Sequence, residues 1–575
     1  MSLSLVWFRR DLRLHDHPAL TQACRLGPVL PLFVLDPALL HHPETGVARV
    51  AFLLESLRAL DLDLRRRGGR LLVRCGDPLT VIDQMVRACR VERLFAHVDA
   101  ERIVGRVRDA RLARHLAAAG IPLHWVEPPG GTGDLLPYPD FRRFWQRAMA
   151  EAPLPQPQRV PVPPPDPQQP ALEDRPVPTL EELGLCHDGK PLPPAGTAAA
   201  LARLQRFQRG PSARTYHWQL SQPAARASTG LSPYLKFGVV TARQCLAELA
   251  PMAAAEPALR RSWEQLVSRL RWGAGMAQRF RYLPQLELRS LWSGFDPPGE
   301  ELTPAQEELY QAWCEGQTGF PFIDATARAL RAEGGWQELN FRSRAISASF
   351  LTHLCGIDWR YGALHFMRHL LDGDCPIDHY QWALQAGVVP AGAAGWSRIY
   401  HPGQVAVDRC DPQGRFLRRW LPELAHLTND QLGSPPPQRH YPPPILDYAT
   451  ARRRRLEQLE RWRDQLPALP RSGASGAWIE RIAPLPSRPL PFAAGRFPGA
   501  VVAWAEMAGA LLPPPLPLEA LDGGQRAALA SWFQAGGRST ARPAGTSSRS
   551  TKSKTGRGRG RGFGEAVQLG LFDQA

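Results

Sequence analysis

A short segment rich in hydroxyl groups could bind an anion. It consists of Ser228, Thr229, Gly230, Leu231 and Ser232, and a proline that can open a helix follows it. Backbone N–H groups that lack helical partners, together with the positive end of the helix dipole, favour negative charge at such a position. The segment would suit a pyrophosphate, and the alternative is that a Ser or Thr hydroxyl simply caps the helix.

Two arginines and two aspartates form a second candidate site. Arg342 and Arg344 are separated by one residue. Asp372 and Asp374 follow further along the chain, with Gly373 between them. Buried charges must pair with each other or with a ligand, because an isolated charge is costly to remove from water. These residues are therefore expected either to form a structural ion pair or to bind a charged ligand.

Other chemistry is weakly represented. The sequence contains neither the G-x-G-x-x-G fingerprint nor a Walker A loop, and the glycine cluster at 130–133 either contacts phosphate or makes an ordinary turn. The nine cysteines are scattered, without the paired spacing of a zinc site or of a disulfide framework. We expect reduced cysteines that serve packing, and no metal site.

The first part of the chain is predicted to form an α/β domain that precedes these residues. Five short β-like runs, at 3–8, 29–35, 70–73, 92–97 and 122–126, alternate with helix-like stretches. This alternation predicts a parallel, doubly wound, five-stranded sheet within residues 1–135. The clearest helix carries one apolar stripe and stops at the glycines 68–69. The stripe contains Val50, Leu53, Leu54, Leu57, Leu60 and Leu64.

The remaining chain divides by composition. Residues 136–197 form a proline-rich connector, and residues 198–435 are predicted to form an all-α, aromatic-rich domain. Residues 436–535 are a proline-rich extension with short helices near 450–465 and 517–534. The tail, 536–575, carries eight basic and two acidic residues and is predicted to be disordered because it has few apolar residues to bury.

The net charge of +16 favours an anionic partner such as nucleic acid, because basic surface releases the counterions condensed on phosphates. A coding bias is the alternative, since 66 of the 70 basic residues are arginines. No apolar run reaches the roughly 18 residues of a membrane span, and arginines interrupt the first apolar run before a signal peptide could form. The chain is expected in the cytoplasm, away from membranes.

Several motifs in this order resemble those of photolyases and cryptochromes. The first is VWFRRDLRLHDHPAL at 6–20, with His17 where asparagine is usual. The others are LSPYLKFGVVT from Leu231, GQTGFPFIDA from Gly316, Arg342-x-Arg344, DWRYGALHFMRHLLDGD from Asp358 and FLRRWLPEL from Phe416. The resemblance covers residues 1 to about 425, and the chain is identified as a member of a less characterised bacterial branch of that family.

The resemblance implies a U-shaped FAD inside the helical domain. Tyr216 would contact the cofactor, and residues 228–232 would hold its phosphates. Arg344 and the Asp372–Gly373–Asp374 turn would face the isoalloxazine and adenine side. The family also implies a possible antenna pigment, a folate or a deazaflavin, in the α/β domain.

The resemblance further implies redox roles. Trp382 and Trp359 fall on the two inner positions of the electron-relay chain of the family. The third position falls near Thr303, so Tyr310 or Trp313 would have to replace it. Asp378 aligns with the residue that faces flavin N5, where a buried carboxyl group with a raised pKa could act as a proton donor.

The lesion pocket departs from the family pattern. Trp272 and Arg342 match residues that contact a flipped DNA lesion, for which a stacking wall and polar contacts are needed. The positions that differ are Arg269, Phe341, Ala345 and Leu384. Two functions therefore stay open: light-driven electron transfer from reduced FAD to a DNA photolesion, either a pyrimidine dimer or a (6-4) product, or a cryptochrome-type blue-light receptor without repair activity.

The end of the tail resembles a docking peptide. Gln568, Leu569, Leu571 and Phe572 match the Gln-Leu-x-Leu-Phe pattern by which bacterial repair and replication proteins bind the sliding clamp. A short motif in a disordered tail pays its ordering entropy only on binding. We expect damaged, base-flipped DNA as a partner, and the clamp as a partner of this peptide. The chain itself is expected to be a monomer.

Overall fold

The computed structural model describes residues 2–99, 102–163, 172–291, 301–389, 399–465 and 521–534. An α/β unit comes first, a long helical unit follows it, and two further helices lie beyond residue 447. In the part of the chain that the structure describes, every helix is too short or too polar to span a lipid bilayer.

The α/β unit contains the predicted five-stranded parallel sheet. Its strands are β1 (Ser4–Phe8), β2 (Val29–Leu35), β3 (Leu72–Cys75), β4 (Arg93–His97) and β5 (Leu123–Val126). They are ordered β3-β2-β1-β4-β5, and Ser4 of β1 pairs with Val29 of β2 and with Arg93 of β4. All residues of β1 and β2 are buried, as expected for central strands covered by helices on both faces.

Five helices connect or flank these strands: α1 (Pro18–Leu26), α2 (Pro37–Leu40), α3 (Val47–Arg65), α4 (Pro78–Cys89) and α5 (Ile103–Ala118). Helix α3 is the one expected from the apolar stripe, and all members of the stripe except Leu53 are buried. His17 caps α1, because its Nδ1 accepts a hydrogen bond from the Leu20 N–H at 3.0 Å, a bond that asparagine could also accept.

The helical unit contains the predicted all-α domain. Its helices are α6 (Tyr138–Ala150), α7 (Thr197–Arg209), α8 (Ser212–Gln219), α9 (Ser232–Lys236), α10 (Ala242–Leu249), α11 (Pro257–Tyr282), α12 (Pro304–Glu315), α13 (Pro321–Glu333), α14 (Phe341–Ser349), α15 (Trp359–His369), α16 (Cys375–Ala386), α17 (Gln404–Cys410) and α18 (Arg415–Trp420). A single π-helical turn, Phe350–Leu354, continues α14.

The two predicted C-terminal helices are present. Helix α19 spans Tyr448–Gln465, and helix α20 spans Gly523–Gln534, which is shorter than expected because Asp522 accepts a hydrogen bond from the Gln525 N–H and so begins the helix there. Both helices pack on the helical unit, since Arg455 donates to His353 and Trp532 donates to the Leu136 carbonyl. The predicted tail and its peptide at 568–572 lie outside the described residues.

The loop after β1 joins the two units. The Leu12 N–H donates to the Phe237 carbonyl at 3.1 Å, and the Arg13 guanidinium donates to the Gly238 carbonyl at 2.9 Å. Gly238 has a φ of +59°, and a Cβ at this position would overlap the carbonyl oxygen of Arg10. The close approach therefore requires glycine and brings the N-terminal motif directly against the helical unit.

All nine cysteines are unpaired in the structure. Five of them, Cys245, Cys314, Cys355, Cys375 and Cys410, are buried in the helical unit, while Cys75 and Cys186 are exposed. The expectation of packing cysteines is therefore correct for the helical unit and does not extend to the two exposed positions.

Candidate cofactor site

A cavity of about 670 Å³ opens in the helical unit. It is large enough for a dinucleotide-sized ligand and collects most of the predicted site residues. Those that line it are Tyr216, Ser228, Thr229, Gly230, Leu231, Ser232, Arg269, Trp272, Arg344, Asp372, Asp374, Asp378 and Trp382. Three predicted residues are not among the described lining residues: Arg342, Trp359 and Gly373.

Helix α16 supplies one wall of the cavity. Asp374 is its N-cap and accepts a hydrogen bond from the Ile377 N–H at 3.3 Å. Asp378, Gln381 and Trp382 then follow at the three- and four-residue spacings that place side chains on one face of a helix. The helix thus directs a carboxyl group, an amide and an indole towards the same space.

The predicted charged residues form two separate ion pairs. Arg344 on α14 places Nη2 at 3.1 Å from both carboxylate oxygens of Asp372. Asp374 instead pairs with Arg10 at 2.9 Å and lies 3.6 Å from Lys236 Nζ. Burial lowers the pKa of Lys236 to about 7, although Asp374 opposes this shift. Arg10 and Lys236 line the cavity and belong to motifs that the family resemblance contained, but the sequence did not single them out.

Asp378 is the most perturbed carboxyl group of this wall. Burial raises its pKa to about 7, and Glu44 adds to this effect while His379, Arg344 and Arg49 oppose it. Its Oδ2 is buried and has no hydrogen-bond partner among the described residues. Burial thus favours the neutral acid of a carboxyl group that lines the cavity.

Further buried polar atoms around the cavity lack a hydrogen bond to any described residue. Asn340 Nδ2, both amide atoms of Gln381 and Trp336 Nε1 are buried without a hydrogen bond to any described residue. Buried polar groups are normally satisfied, so a cluster of unsatisfied ones on a cavity wall indicates a polar ligand. The unsatisfied amide and indole groups would fit a flavin, whose ring carries carbonyl oxygens and ring nitrogens.

The 228–232 segment is not a side-chain cap. Helix α9 begins at Ser232 with Leu231 as N-cap, and no side-chain hydrogen bond closes it. Arg203 Nε donates to the Thr229 carbonyl at 2.9 Å, so the segment is fixed from behind while its residues line the cavity. Gly373 is placed differently from the expectation, because a Cβ there would overlap the Arg49 guanidinium rather than point into the cavity.

The tryptophans form an unexpected arrangement. Trp382 packs edge-to-face on Trp313, with ring centroids 6.0 Å apart, whereas Trp359 packs on His379 at 5.9 Å. Tyr310 stacks on Trp313 at 6.1 Å. Both alternatives for the third relay position are buried, Trp313 with 1% and Tyr310 with 5% of its surface exposed. Neither residue can be the solvent-exposed end of an electron relay in this structure.

The lesion-pocket residues separate into two groups. Trp272 and Phe341 pack edge-to-face with centroids 6.3 Å apart, and both line the cavity beside Arg269. Arg342 donates to the Tyr400 hydroxyl at 3.1 Å instead. The cavity mouth therefore has an aromatic wall and a guanidinium. The glycine cluster also reaches the cavity through Gly130 and Gly131.

A buried cluster outside the cavity contains Asp11, His17 and His97. His97 Nδ1 lies 2.6 Å and His17 Nε2 lies 3.2 Å from Asp11 Oδ2. Because His17 Nδ1 accepts a backbone N–H, its Nε2 carries the proton and faces Asp11, but it makes no hydrogen bond to a described residue. The contact of His97 Nδ1 with Asp11 is a hydrogen bond.

An α/β unit precedes a helical unit whose cavity is mainly apolar and carries a few charged and amide groups, as expected of a protein that holds a dinucleotide cofactor inside its helical domain. The chain matches the family model for DNA photolyase over residues 4–166 and the model for the FAD binding domain of DNA photolyase over residues 266–461. It belongs to the DNA photolyase family, and its cofactor is FAD.

Individual relatives agree with this assignment. A deoxyribodipyrimidine photo-lyase from Synechococcus sp. is 36% identical over 476 residues, which cover 77% of this chain and 93% of that protein. The crystal structure of a bacterial class III photolyase from Agrobacterium tumefaciens superposes with a TM-score of 0.67 at 25% identity, covering 81% of this chain and 98% of that one. A Synechocystis sp. cryptochrome superposes with a TM-score of 0.69 at 26% identity, covering 80% and 99%.

Proposed function

We propose that the protein is a light-driven, FAD-dependent DNA photolyase that transfers an electron to a DNA photolesion. The observation that carries this proposal is the one cavity that Asp378, Trp382 and Trp272 line together, because it combines a proton donor, a redox-active ring and a stacking surface. Relatives that are deoxyribodipyrimidine photo-lyases support the same reaction. Turnover of lesion-containing oligonucleotides in light, but not in darkness, tests it.

The chain's own residues hold the cofactor. The backbone of residues 228–232 offers N–H donors to the phosphates, and Arg10 and Lys236 lie in the same cavity with Asp374 as their partner. The Arg344–Asp372 pair and Tyr216 line the same cavity, and burial raises the pKa of the Tyr216 hydroxyl to about 12. When bound, reduced FAD supplies the electron that light excites.

The first electron-relay residue, Trp382, and the proton donor, Asp378, both lie on α16. Trp382 is the inner relay residue and Trp359 the second, although the contact of Trp382 with Trp313 offers a second direction for the electron. Asp378 holds a proton at Oδ2, where burial makes the neutral acid available. Both roles depend on the indole and the carboxyl group facing the cavity together.

The lesion would enter beside Trp272, Phe341 and Arg269. Aromatic rings at a cavity mouth suit a base that has been flipped out of a DNA stack. Arg269 places positive charge where it can contact a carbonyl oxygen of the lesion or a neighbouring phosphate, so the pocket favours acceptor-rich substrates such as pyrimidine dimers or (6-4) products. Arg342 would act through Tyr400 unless it turns when DNA binds.

A cryptochrome-type photoreceptor is the second candidate. It is favoured by Asp378, an acid at the flavin-facing position, and by the departures at Phe341, Ala345 and Leu384. Anaerobic illumination of reduced holoprotein with dimer-containing and (6-4)-containing oligonucleotides separates the two functions. Turnover of either lesion supports the enzyme, while stable photoreduction without turnover supports the receptor.

We further infer that the C-terminal peptide with Gln568, Leu569, Leu571 and Phe572 docks on the bacterial sliding clamp. Three apolar anchors in a tail otherwise rich in Gly, Ser and Arg have no core of their own to join. Anisotropy of a labelled peptide covering Glu565 to Ala575 tests this. Micromolar binding that is lost in the double variant Leu571→Ala and Phe572→Ala is expected, and no binding at high clamp concentration would exclude docking.

The organisation of the chain follows the same proposal. We infer an antenna-type domain at 1–135, a connector at 136–197, a FAD domain at 198–435, an extension at 436–535 and a basic tail at 536–575. The protein would act as a cytoplasmic monomer on DNA, with a folate or deazaflavin pigment in its first domain. Sedimentation of the holoprotein and an absorption spectrum of the purified protein test the monomer and the pigment.

A further inference from the structure

His379 lies between two carboxyl groups that come from different parts of the molecule. Its Nε2 is 3.0 Å from Glu44 Oε1, and its Nδ1 is 3.9 Å from Asp378 Oδ2. All three side chains are more than nine-tenths buried. Glu44 lies in the loop between α2 and α3 of the α/β unit, so this row of groups crosses from one unit to the other.

We propose that His379 and Glu44 form the proton relay that refills Asp378 after its proton has been used. In this step the N–H bond at His379 Nδ1 breaks and an O–H bond forms at Asp378 Oδ2. The imidazolium becomes a neutral imidazole, and the carboxylate becomes a carboxylic acid. The proposal rests on the role of Asp378 as the proton donor of the cavity.

The geometry fits a relay better than a simple ion pair. Each ring nitrogen of His379 faces a different carboxyl group, so Glu44 can accept the Nε2–H and keep the ring charged while Nδ1 gives its proton to Asp378. The distance from Nδ1 to Asp378 Oδ2 is about 1 Å longer than a charge-assisted hydrogen bond, a gap that a small side-chain rotation closes. Asp378 Oδ2 has no hydrogen-bond partner among the described residues that would hold it away.

The surrounding charges keep the relay loaded. Burial disfavours a charged ring, but Cys375 and Glu44 outweigh burial and hold the pKa of His379 well above its usual range. Burial would also raise the pKa of Glu44, yet His379 and Arg102 hold it well below its usual range. His379 is thus an imidazolium facing a carboxylate at neutral pH. Transfer to Asp378 is uphill and leaves a neutral ring that keeps its Nε2–H toward Glu44. It is completed when Nδ1 takes up a proton from solvent, which restores the imidazolium.

Other charged groups face this row from neighbouring elements and must be considered in any titration. Arg102 donates to Glu44 Oε2 at 2.7 Å and to Glu287 at 3.1 Å. Half-buried His42 accepts the backbone N–H of Glu44 at 3.2 Å and so lies beside the row. The remaining charged or titratable neighbours are Arg49, Arg344 and Cys375.

Time-resolved infrared spectroscopy of the FAD-loaded protein tests the relay. A flash should bleach the C=O band of protonated Asp378, and the recovery of that band reports refilling. Asp378→Asn identifies the band by removing it. In His379→Asn the bleach should form at an unchanged rate and recover at least about tenfold more slowly. Glu44→Gln should slow the recovery as well and serves if His379→Asn fails to fold or to hold FAD.

The matched control is His115→Asn. His115 forms a comparable imidazole–carboxylate pair with Asp83, at 2.7 Å, but lies in the α/β unit away from the cavity. This variant should leave the bleach and its recovery unchanged. In darkness, loss of the nearby imidazolium should also let the Asp378 band persist to higher pH in His379→Asn, an effect that a purely structural pair elsewhere cannot produce.

Two outcomes would overturn the relay in different ways. Unchanged recovery in both His379→Asn and Glu44→Gln, with FAD bound and a normal bleach, would remove the relay and leave Asp378 as the donor. A parent protein without any Asp378 bleach would instead remove the proposed role of Asp378 itself, and the relay with it.

Discussion

Trp313 packs edge-to-face on Trp382, with ring centroids 6.0 Å apart and ring planes at 81°. Trp313 is almost fully buried, and its Nε1 donates to Ser347 at 3.1 Å. The ring that the family resemblance offered as a surface residue is therefore an inner neighbour of the first relay residue. Trp313 thus contacts Trp382 directly, whereas Trp359, the second relay residue that the resemblance implies, packs on His379. We therefore consider two directions for an electron at Trp382, one towards Trp359 and one towards Trp313.

Replacing Trp382 by phenylalanine should abolish or strongly slow photoreduction of oxidised FAD while FAD stays bound. Phenylalanine keeps most of the packing but cannot act as the electron donor at this position. Transient absorption after a flash measures the effect. Trp218→Phe is the control, because Trp218 is 55% exposed and lies outside the lining of the cavity. Unchanged kinetics in Trp382→Phe would mean that electrons arrive by another route.

The two directions can be separated by single variants. If electrons follow the relay that the resemblance implies, Trp359→Phe should slow the second step of photoreduction and Trp313→Phe should leave it unchanged. Each substitution keeps an aromatic ring but shortens a buried indole and removes its N–H hydrogen bond, to Ser290 from Trp359 and to Ser347 from Trp313. FAD content is therefore measured in both variants. The opposite pattern would assign the route to Trp313 and contradict the role of Trp359.

Asp372→Ala should deplete FAD from the purified protein. The change leaves the Arg344 guanidinium without its carboxylate, and breaking a buried ion pair costs about 3 to 5 kcal/mol. Partial exposure of Arg344 reduces this cost, so loss of most but not all FAD is expected. Flavin absorbance relative to protein absorbance gives the occupancy.

Asp63→Ala is the control for this loss, because the Arg66–Asp63 pair is solvent-exposed and contributes at most about 1 kcal/mol. Full FAD occupancy in Asp372→Ala would contradict the assignment of the Arg344–Asp372 pair to the cofactor site.

Asp378→Asn should stabilise the protein at alkaline pH. The folded chain holds the Asp378 proton up to pH about 7, whereas the unfolded chain releases it near its ordinary pKa of 3.8. The folded state thus binds more protons in this window, and stability falls as the pH rises through it. The free energy of unfolding of the variant should exceed that of the parent at pH 8, by at most about 4 kcal/mol, and match it near pH 4.

Denaturant unfolding of both proteins at the two pH values measures this difference. The same variant should also convert the photoreduced flavin radical from its protonated to its anionic form, since the amide has no proton to give. A difference in stability that does not depend on pH would contradict a protonated Asp378 in the folded protein. An unchanged radical spectrum would contradict its role as the proton donor.

Trp532→Ala should destabilise the protein by about 3 to 5 kcal/mol, the usual cost of removing a buried tryptophan. Trp532 on α20 packs against Phe141 and Tyr138, and Arg279 donates to its carbonyl at 2.7 Å. The extension is therefore part of the folded unit at this point. Thermal unfolding compared with Trp218→Ala checks the prediction, and equal melting temperatures would show that α20 contributes little.

The sequence was sufficient for the α/β sheet, because its strands are continuous apolar runs and its clearest helix has one apolar stripe. The stripe from Val50 to Leu64 and the strands at 4–8 and 29–35 lie where the periodicity places them. The positions of Arg344, Asp372 and Asp374 around one cavity also followed from the ordered motifs. A strand or a helix can be predicted from the spacing of apolar residues that are close together in the sequence.

The rest depended on contacts between distant segments, which no local pattern records. Glu44 reaches His379 from another unit, and Asp374 pairs with Arg10 from the first strand's loop rather than with Arg342. Gly373, expected at the cofactor, packs on Arg49 from α3. The edge-to-face contact between Trp313 and Trp382 likewise depends on how α12 crosses α16, which spacing alone does not define.

Light-dependent repair is measured most directly as the restoration of bases in a damaged oligonucleotide. Reduced, FAD-loaded protein is illuminated anaerobically with an oligonucleotide that carries a single pyrimidine dimer and, separately, with one that carries a (6-4) product, and restored bases are quantified chromatographically against a dark control. The account predicts multiple turnovers of at least one lesion in light, none in darkness, and a strong loss of turnover in Trp272→Ala with FAD still bound. Full photoreduction without any restored bases from either oligonucleotide would contradict it.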